Sequence, residues 1–227
     1  MSILTATESR RGLHVRLAVV ILLFVGSGAW LARTLLKTDS APAVARMNNV
    51  KVKRVLSGHT VEIKHGDRLT YAAIRAPYGS EPLFEDARRR NAELVEGKEL
   101  RLRYDHRDRL EGDEKNRLVA YAFIDGQMIN ERLVREGWAY VRLTPDFRRF
   151  AEQLLAAQSA ARHDGVGLWS APAPAPESDY PADPKYGNFH RPSCAEVGRI
   201  KPERLTSFKL RDAALDAGFA PCPKCCP

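Results

Sequence analysis

Residues 50–77 read VKVKRVLSGHTVEIKHGDRLTYAAIRAP, and this stretch decides the fold. In Val50-Lys51-Val52-Lys53 and Val61-Glu62-Ile63-Lys64, apolar and charged residues alternate with the period of half-buried strands. Gly66-Asp67 supplies a tight turn into a further extended run, Leu69–Ile74. Ser80-Glu81-Pro82 then opens a predicted helix with Phe84, Ala87, Leu94 and Val95 on one face. Glu99–Tyr104 and Arg117–Ile124 read as strands, the second ended by Asp125-Gly126. Asn130 reads as an N-cap and Gly137 as the stop of a short helix containing Leu133 and Val134. Thr144-Pro145-Asp146 starts a longer helix carrying Phe147, Phe150, Leu154, Leu155 and Ala161. Five short strands with interspersed helices predict a β-rich α+β domain over residues 49–170, a small barrel with helices packed on it.

The chain has 227 residues, 44% hydrophobic and 28% charged, enough for one domain plus a small appendage and too apolar for wholesale disorder. Its net charge is +8, but residues 1–48 hold six cations against two acids and so carry half of the excess. The main domain is only mildly basic, so any phosphate-binding patch there must come from arrangement. Residues 17–32, LAVVILLFVGSGAWLA, contain no charge. As a helix they rise about 24 Å, short of the roughly 30 Å hydrocarbon core, and snorkelling by Arg16 and Arg33 with Leu35 and Leu36 behind closes the gap. The expectation is a basic cytoplasmic stretch at 1–16, a transmembrane signal anchor at 17–36 and a linker at 37–48. Ser27-Gly28-Ala29 keeps a cleaved signal peptide open as the alternative. Either reading exports the rest of the chain, to the periplasmic or extracellular side of a cell membrane.

Ser57-Gly58-His59-Thr60-Val61, Ala73-Ile74-Arg75-Ala76-Pro77, Asn116-Arg117-Leu118-Val119-Ala120-Tyr121, the run Gly126–Gly137 and Gly167-Leu168-Trp169-Ser170 together resemble the staphylococcal nuclease, or thermonuclease-like, domain. The resemblance covers essentially all of 49–170 and implies a five-stranded OB-fold barrel with three helices. The family's chemistry needs a hard divalent cation in an oxygen cage, a carboxylate base and two Arg. Carried over position by position, the resemblance puts His59 at a calcium-ligand Asp and Thr70 at a catalytic Arg. It puts Arg75 at the second cage Asp and Tyr78 at the Glu base. Arg117 alone keeps its family identity. A cation at Arg75 repels calcium, His59 is a poor ligand for a hard ion, and a phenol with a pKa of about 10 is no base near neutrality. The resemblance therefore implies a pseudo-nuclease that does not take up calcium, with nucleic acid or an envelope protein as its partner. A working phosphodiesterase with a rebuilt site is the alternative. Glu81, Glu85 and Asp86 could rebuild a carboxylate site, but they also read as first-turn helix acids. His59, His65 and His106 have no recognised ligand spacing. Arg88-Arg89-Arg90 with Arg101, Arg103, Arg107 and Arg109 could line a phosphate track, yet interleaved acids favour a charge-balanced face.

Residues 171–185, APAPAPESDYPADPK, read as a semi-rigid polyproline spacer, and 186–227 as a second unit too small for its own core. His190, Cys194, Cys222 and Cys225 give H-x3-C…C-x2-C, the donor set of tetrahedral zinc. Leu210–Ala217 between the pairs reads as a helix stopped by Gly218. The runs Phe189–Cys194 and Ala214–Cys225 resemble the metal-binding module of the Ada DNA-repair protein. The resemblance implies a structural zinc ion. The module's methyl-accepting Cys falls at His190, so methyl transfer is not implied. A disulfide, Cys222–Cys225 or Cys225–Cys226, is the alternative to zinc, and Cys226 is the spare thiol.

Overall fold

The structure is a computed structural model that describes residues 48–64, 66–105 and 118–227. β1 (Asn49–Ser57), β2 (Thr60–Ile63) and β3 (Arg68–Tyr71) form an antiparallel meander. Alternation in β1 turns Val50 and Val52 inward and leaves Lys51 and Lys53 in solvent. β4 (Ile74–Arg75) leaves the barrel wall and pairs later with β8 (Tyr140–Val141). β5 (Glu99–Arg103) pairs antiparallel with β1. β6 (Leu118–Ile124) pairs antiparallel with β5 and parallel with β3, so the wall runs β1-β2-β3-β6-β5 and returns to β1. This is the expected five-stranded closed barrel, extended at β6 by the short β7 (Gln127–Met128). Val61, Leu69, Leu100 and Ala120 are fully enclosed inside it, while Tyr121, on the opposite face of β6 from Ala120, is buried from outside the wall beside Phe150. Each such aliphatic side chain contributes about 1.5–3 kcal/mol of burial.

Three helices pack on the barrel: α1 (Phe84–Val95), α2 (Ile129–Arg135) and α3 (Ala151–His163). Their starts differ from the sequence expectations. α1 begins after Leu83, which holds φ 63°, so Ser80-Glu81-Pro82 is a separate turn. α3 begins at Ala151 and not at Thr144. The backbone N–H of Arg148 donates to the Asp105 carboxylate at 2.9 Å, and Phe150 packs edge-on against Tyr121 at 4.8 Å. The approach to the helix is thus pinned to the barrel before the helical turn can start. Asn130 is not a cap. It lies inside α2, fully buried, with Oδ1 accepting from the Ala122 N–H at 3.0 Å and Nδ2 donating to the Ala72 carbonyl at 2.8 Å. It joins β6 to the turn before β4.

The C-terminal region is a second sheet. β9 (Tyr180–Asp183), β10 (Asn188–Phe189), β11 (Thr206–Phe208) and β12 (Ala220–Pro221) pair in the order β11-β9-β10-β12, with α4 (Arg211–Asp216) on the sheet. β9 lies within the expected spacer and is buried at all four residues, so the spacer ends before Tyr180. Nor does this region stand apart, since it falls in one compact unit with the barrel. The predicted anchor at 17–36 and its flanks lie outside the described residues. Among the described residues no helix is long and apolar enough to cross a membrane.

Two outcomes test this account. Asn130→Ala leaves the Ala122 N–H and the Ala72 carbonyl buried without partners, and urea unfolding should show a loss of about 2–4 kcal/mol. Arg90 of α1 grips Glu136, just after α2, through Nε at 2.6 Å and Nη2 at 2.8 Å, and this contact holds the Glu136 carboxyl below its ordinary 4.5 while burial opposes it. A carboxylate with a lowered folded pKa stabilises above its unfolded value and loses that stability as pH falls through the folded one. The deficit of Glu136→Gln, about 1 kcal/mol at pH 7 for a half-buried pair, should shrink below pH 4.5 and vanish in stronger acid.

Candidate functional site

The β1–β2 turn needs a glycine because Gly58 lies against α1 and the segment after β4. A Cβ there would stand 2.6 Å from that of Ala76 and 2.9 Å from that of Ala87. The next residue, His59, accepts a hydrogen bond from the Ala76 N–H on Nδ1 at 3.3 Å, which ties the turn to the segment after β4. Thr70 sits on β3 opposite Thr60 of β2, their hydroxyl oxygens 3.4 Å apart. Thr70 thus makes its contact within the barrel wall, and His59 makes its contact to the segment that leaves it.

Arg75 ends β4 and is 3% exposed. Its Nη1 donates to both carboxylate oxygens of Glu81, at 2.9 and 2.7 Å. Its guanidinium also lies over the Tyr140 ring, 5.1 Å from the centroid, where the β4–β8 pairing places Tyr140 opposite it. Glu81 further accepts from the Tyr78 backbone N–H at 3.1 Å, while the Tyr78 ring is half-exposed. Glu81 therefore organises the turn from Pro77 to Pro82. Read from the sequence as a first-turn helix acid, it lies before α1 and partners Arg75 instead. Glu85 and Asp86 do occupy the first turn of α1, and they pair with Arg88 and Arg89 three residues on. Arg90 pairs with Glu93 and Glu136, so the Arg88–Arg90 run forms a charge-balanced face. Arg117, His65 and His106 lie outside the described residues.

A second cluster forms at the ends of two neighbouring strands. β10 and β12 run parallel with Phe189 beside Pro221, so His190 and Cys222 emerge side by side. Cys194 and Cys225 return to them through short turns, and the four donor atoms all lie within 4.8 Å of one another. A tetrahedron of roughly 2.3 Å metal–sulfur bonds has edges of about 3.8 Å, so the set fits a metal ion. All four cysteines are unbridged in the structure. The Arg191 N–H donates to Cys225 Sγ at 3.3 Å, a contact that orients a thiolate. His190 Nδ1 is buried with no hydrogen-bond partner, and burial holds its imidazole toward the neutral form that a metal takes. Burial also pushes the Cys225 thiol up to about 12 and raises Cys222, so the thiolates form readily only beside a positive charge.

The Arg75–Glu81 pair predicts an asymmetric mutational response. Glu81→Ala leaves a buried guanidinium without its carboxylate and should cost about 3–5 kcal/mol of unfolding free energy. The double change Arg75→Met with Glu81→Leu removes both charges and should cost clearly less in the same denaturation experiment.

Comparison with known proteins agrees with this barrel. Residues 59–171 match the family model described as staphylococcal nuclease homologue. The chain is 30% identical over 135 residues to Endonuclease YncB of Bacillus subtilis (strain 168), a match covering 55% of this chain and 63% of that protein. It is 30% identical over 132 residues to the SPbeta prophage-derived endonuclease YokF of the same organism, covering 54% of this chain and 44% of the relative. The match thus spans less than two thirds of either relative. The closed five-stranded wall, its three helices and the family match over 59–171 agree, and the barrel of this chain belongs to the staphylococcal nuclease family.

Proposed function

We propose that the chain is an exported, membrane-anchored pseudo-nuclease whose barrel binds without hydrolysing. The observation that carries this reading is the Arg75–Glu81 ion pair. The position matched to an anionic cage ligand holds a buried cation, and the nearest carboxylate is spent neutralising it. A divalent ion placed there would meet a guanidinium where it needs an oxygen. His59 is bonded to the segment after β4, Thr70 to the neighbouring wall strand, and Tyr78 offers an exposed phenol where a base is required. Family membership and the endonuclease names of two relatives support nucleic acid as the ligand, with an envelope protein as the other partner class. Those names also favour the second reading, hydrolysis at a rebuilt site.

The metal in this reading is a structural zinc ion held by His190, Cys194, Cys222 and Cys225. Three sulfurs and one imidazole suit zinc and not calcium, and four protein ligands leave no position for a reactive water. The anchor at 17–36 places both folded regions outside the cytoplasm.

One set of assays separates the readings. Purified protein is incubated with single- and double-stranded DNA and RNA, with calcium, with other divalent cations and with chelator. No cation-dependent cleavage is expected, while binding of at least one nucleic acid should weaken steeply with salt. Cleavage that requires a cation and disappears in Arg117→Ala establishes the rebuilt site instead. Metal analysis of the same protein should find one zinc per chain, lost in Cys222→Ser. A cobalt-substituted sample should show the strong visible absorption of tetrahedral thiolate coordination.

A further inference from the structure

The C-terminal sheet meets the β4–β8 pair on the outer side of the barrel, and Arg75 sits at that contact. Tyr140 stacks on Arg75, meets Trp169 edge-on at 5.2 Å, and packs against the apolar cluster that contains Tyr180, Phe189 and Leu215. Backbone bonds hold the same contact. The Leu143 N–H donates to the Gly218 carbonyl at 2.8 Å. Buried Gln158 of α3 accepts from the Val141 N–H at 2.8 Å and donates to the Leu215 carbonyl at 3.0 Å. Arg162 pairs with Asp212 at 2.8 Å and Asp216 at 2.5 Å. A cleft of about 890 Å³ is lined from the barrel by Arg75, Glu81 and Tyr140 and from the C-terminal region by Arg211, Pro221 and Cys222.

The covering elements have little to hold them on their own. β12 has two residues and α4 has six. Their shared apolar cluster has five buried members, three of them on β9 and β10. Isolated turns of this length are unstable in water, and a core this small needs a staple. The metal cluster is placed to be that staple. Cys222 directly follows β12, and its N–H donates to the Phe189 carbonyl at 2.9 Å, beside His190. Only four residues upstream, Gly218 makes the bond to Leu143, and a Cβ at Gly218 would stand 2.5 Å from the Leu143 side chain. The backbone there packs directly on the barrel edge.

We infer that the metal cluster is a clasp. Bound metal fixes β12 and α4 against β8 and keeps the Arg75–Tyr140 edge covered, and loss of the metal uncovers that edge while the barrel stays folded. The inference rests on the metal reading of the cluster but not on the silence of the barrel. Release of Cys222 frees the short segment that carries the Gly218–Leu143 bond, so the coupling runs through a few residues of backbone. The state without metal opens the cleft more widely onto Tyr140, Trp169 and Arg75, an aromatic and cationic surface that the closed state leaves only partly accessible.

Hydrogen exchange of the full chain in detergent, read by mass spectrometry, tests this. The protein is compared with zinc bound, after chelation, and after zinc is restored, with zinc content assayed in each sample. Chelation should speed exchange in both 140–143 and 218–222 by at least about tenfold, reversibly, with peptides of β1–β3 unchanged. Cys194→Ser should give the same pattern without chelator. Faster exchange at 218–222 with 140–143 unchanged overturns the clasp while leaving the metal site standing. Faster exchange throughout β1–β3 overturns it as well, because the metal would then support the whole fold. Protein that holds no zinc at the outset defeats the metal reading itself, and the clasp with it.

Discussion

The parallel pairing of β3 with β6 is the constraint on which the molecule depends. Leu69, Thr70 and Tyr71 align with Leu118, Val119 and Ala120, and this closes a sheet that would otherwise expose two edges. Closure fixes where β3 ends, and β4 must leave the wall there. Asn130 then bonds the Ala72 carbonyl at the exit, and β8 meets β4 outside the wall. The register of that small pair sets Arg75 opposite Tyr140. The chemistry available at the edge therefore follows from barrel closure together with the identity of one residue on β4.

That residue carries the functional argument. Where the proposed reading expects a carboxylate aimed at a cation, Arg75 recruits Glu81 and closes the turn on itself. In the proposed reading the exchange is more than a lost ligand. It reverses the sign of the local charge, uses up the neighbouring carboxylate and gives Tyr140 a cation to stack on. A buried ion pair of this kind adds little net stability over an apolar pair, but leaving either partner alone is costly, so the two residues constrain each other.

Much of this was legible before the structure, for identifiable reasons. Alternation in β1 and β2 and the turn at Gly66-Asp67 report local preferences, and local preferences survive folding. The donors His190, Cys194, Cys222 and Cys225 could be chosen because metal coordination imposes short, paired spacings. Asn130 was misread because the residue that caps a helix and the residue that bridges buried backbone groups look identical in sequence. Only the closed barrel supplies the Ala122 and Ala72 groups that it satisfies. Glu81 was misread because Leu83 adopts a left-handed conformation and delays the helix. The strand Tyr180–Asp183 was hidden by the prolines around it. Pro181 is nonetheless compatible with it, since its carbonyl accepts from the His190 N–H and a proline carbonyl remains a full acceptor.

The central claim is that the barrel edge has exchanged a metal-binding chemistry for a self-contained ion pair. Calorimetric titration of calcium into the full chain, with and without a nucleoside bisphosphate, tests it most directly. The account predicts no saturable calcium uptake in either case, with the zinc content unchanged throughout. Saturable, nucleotide-enhanced calcium binding that Arg75→Ala alters would contradict it, because the edge would then hold the cation that the Arg75–Glu81 pair is argued to exclude.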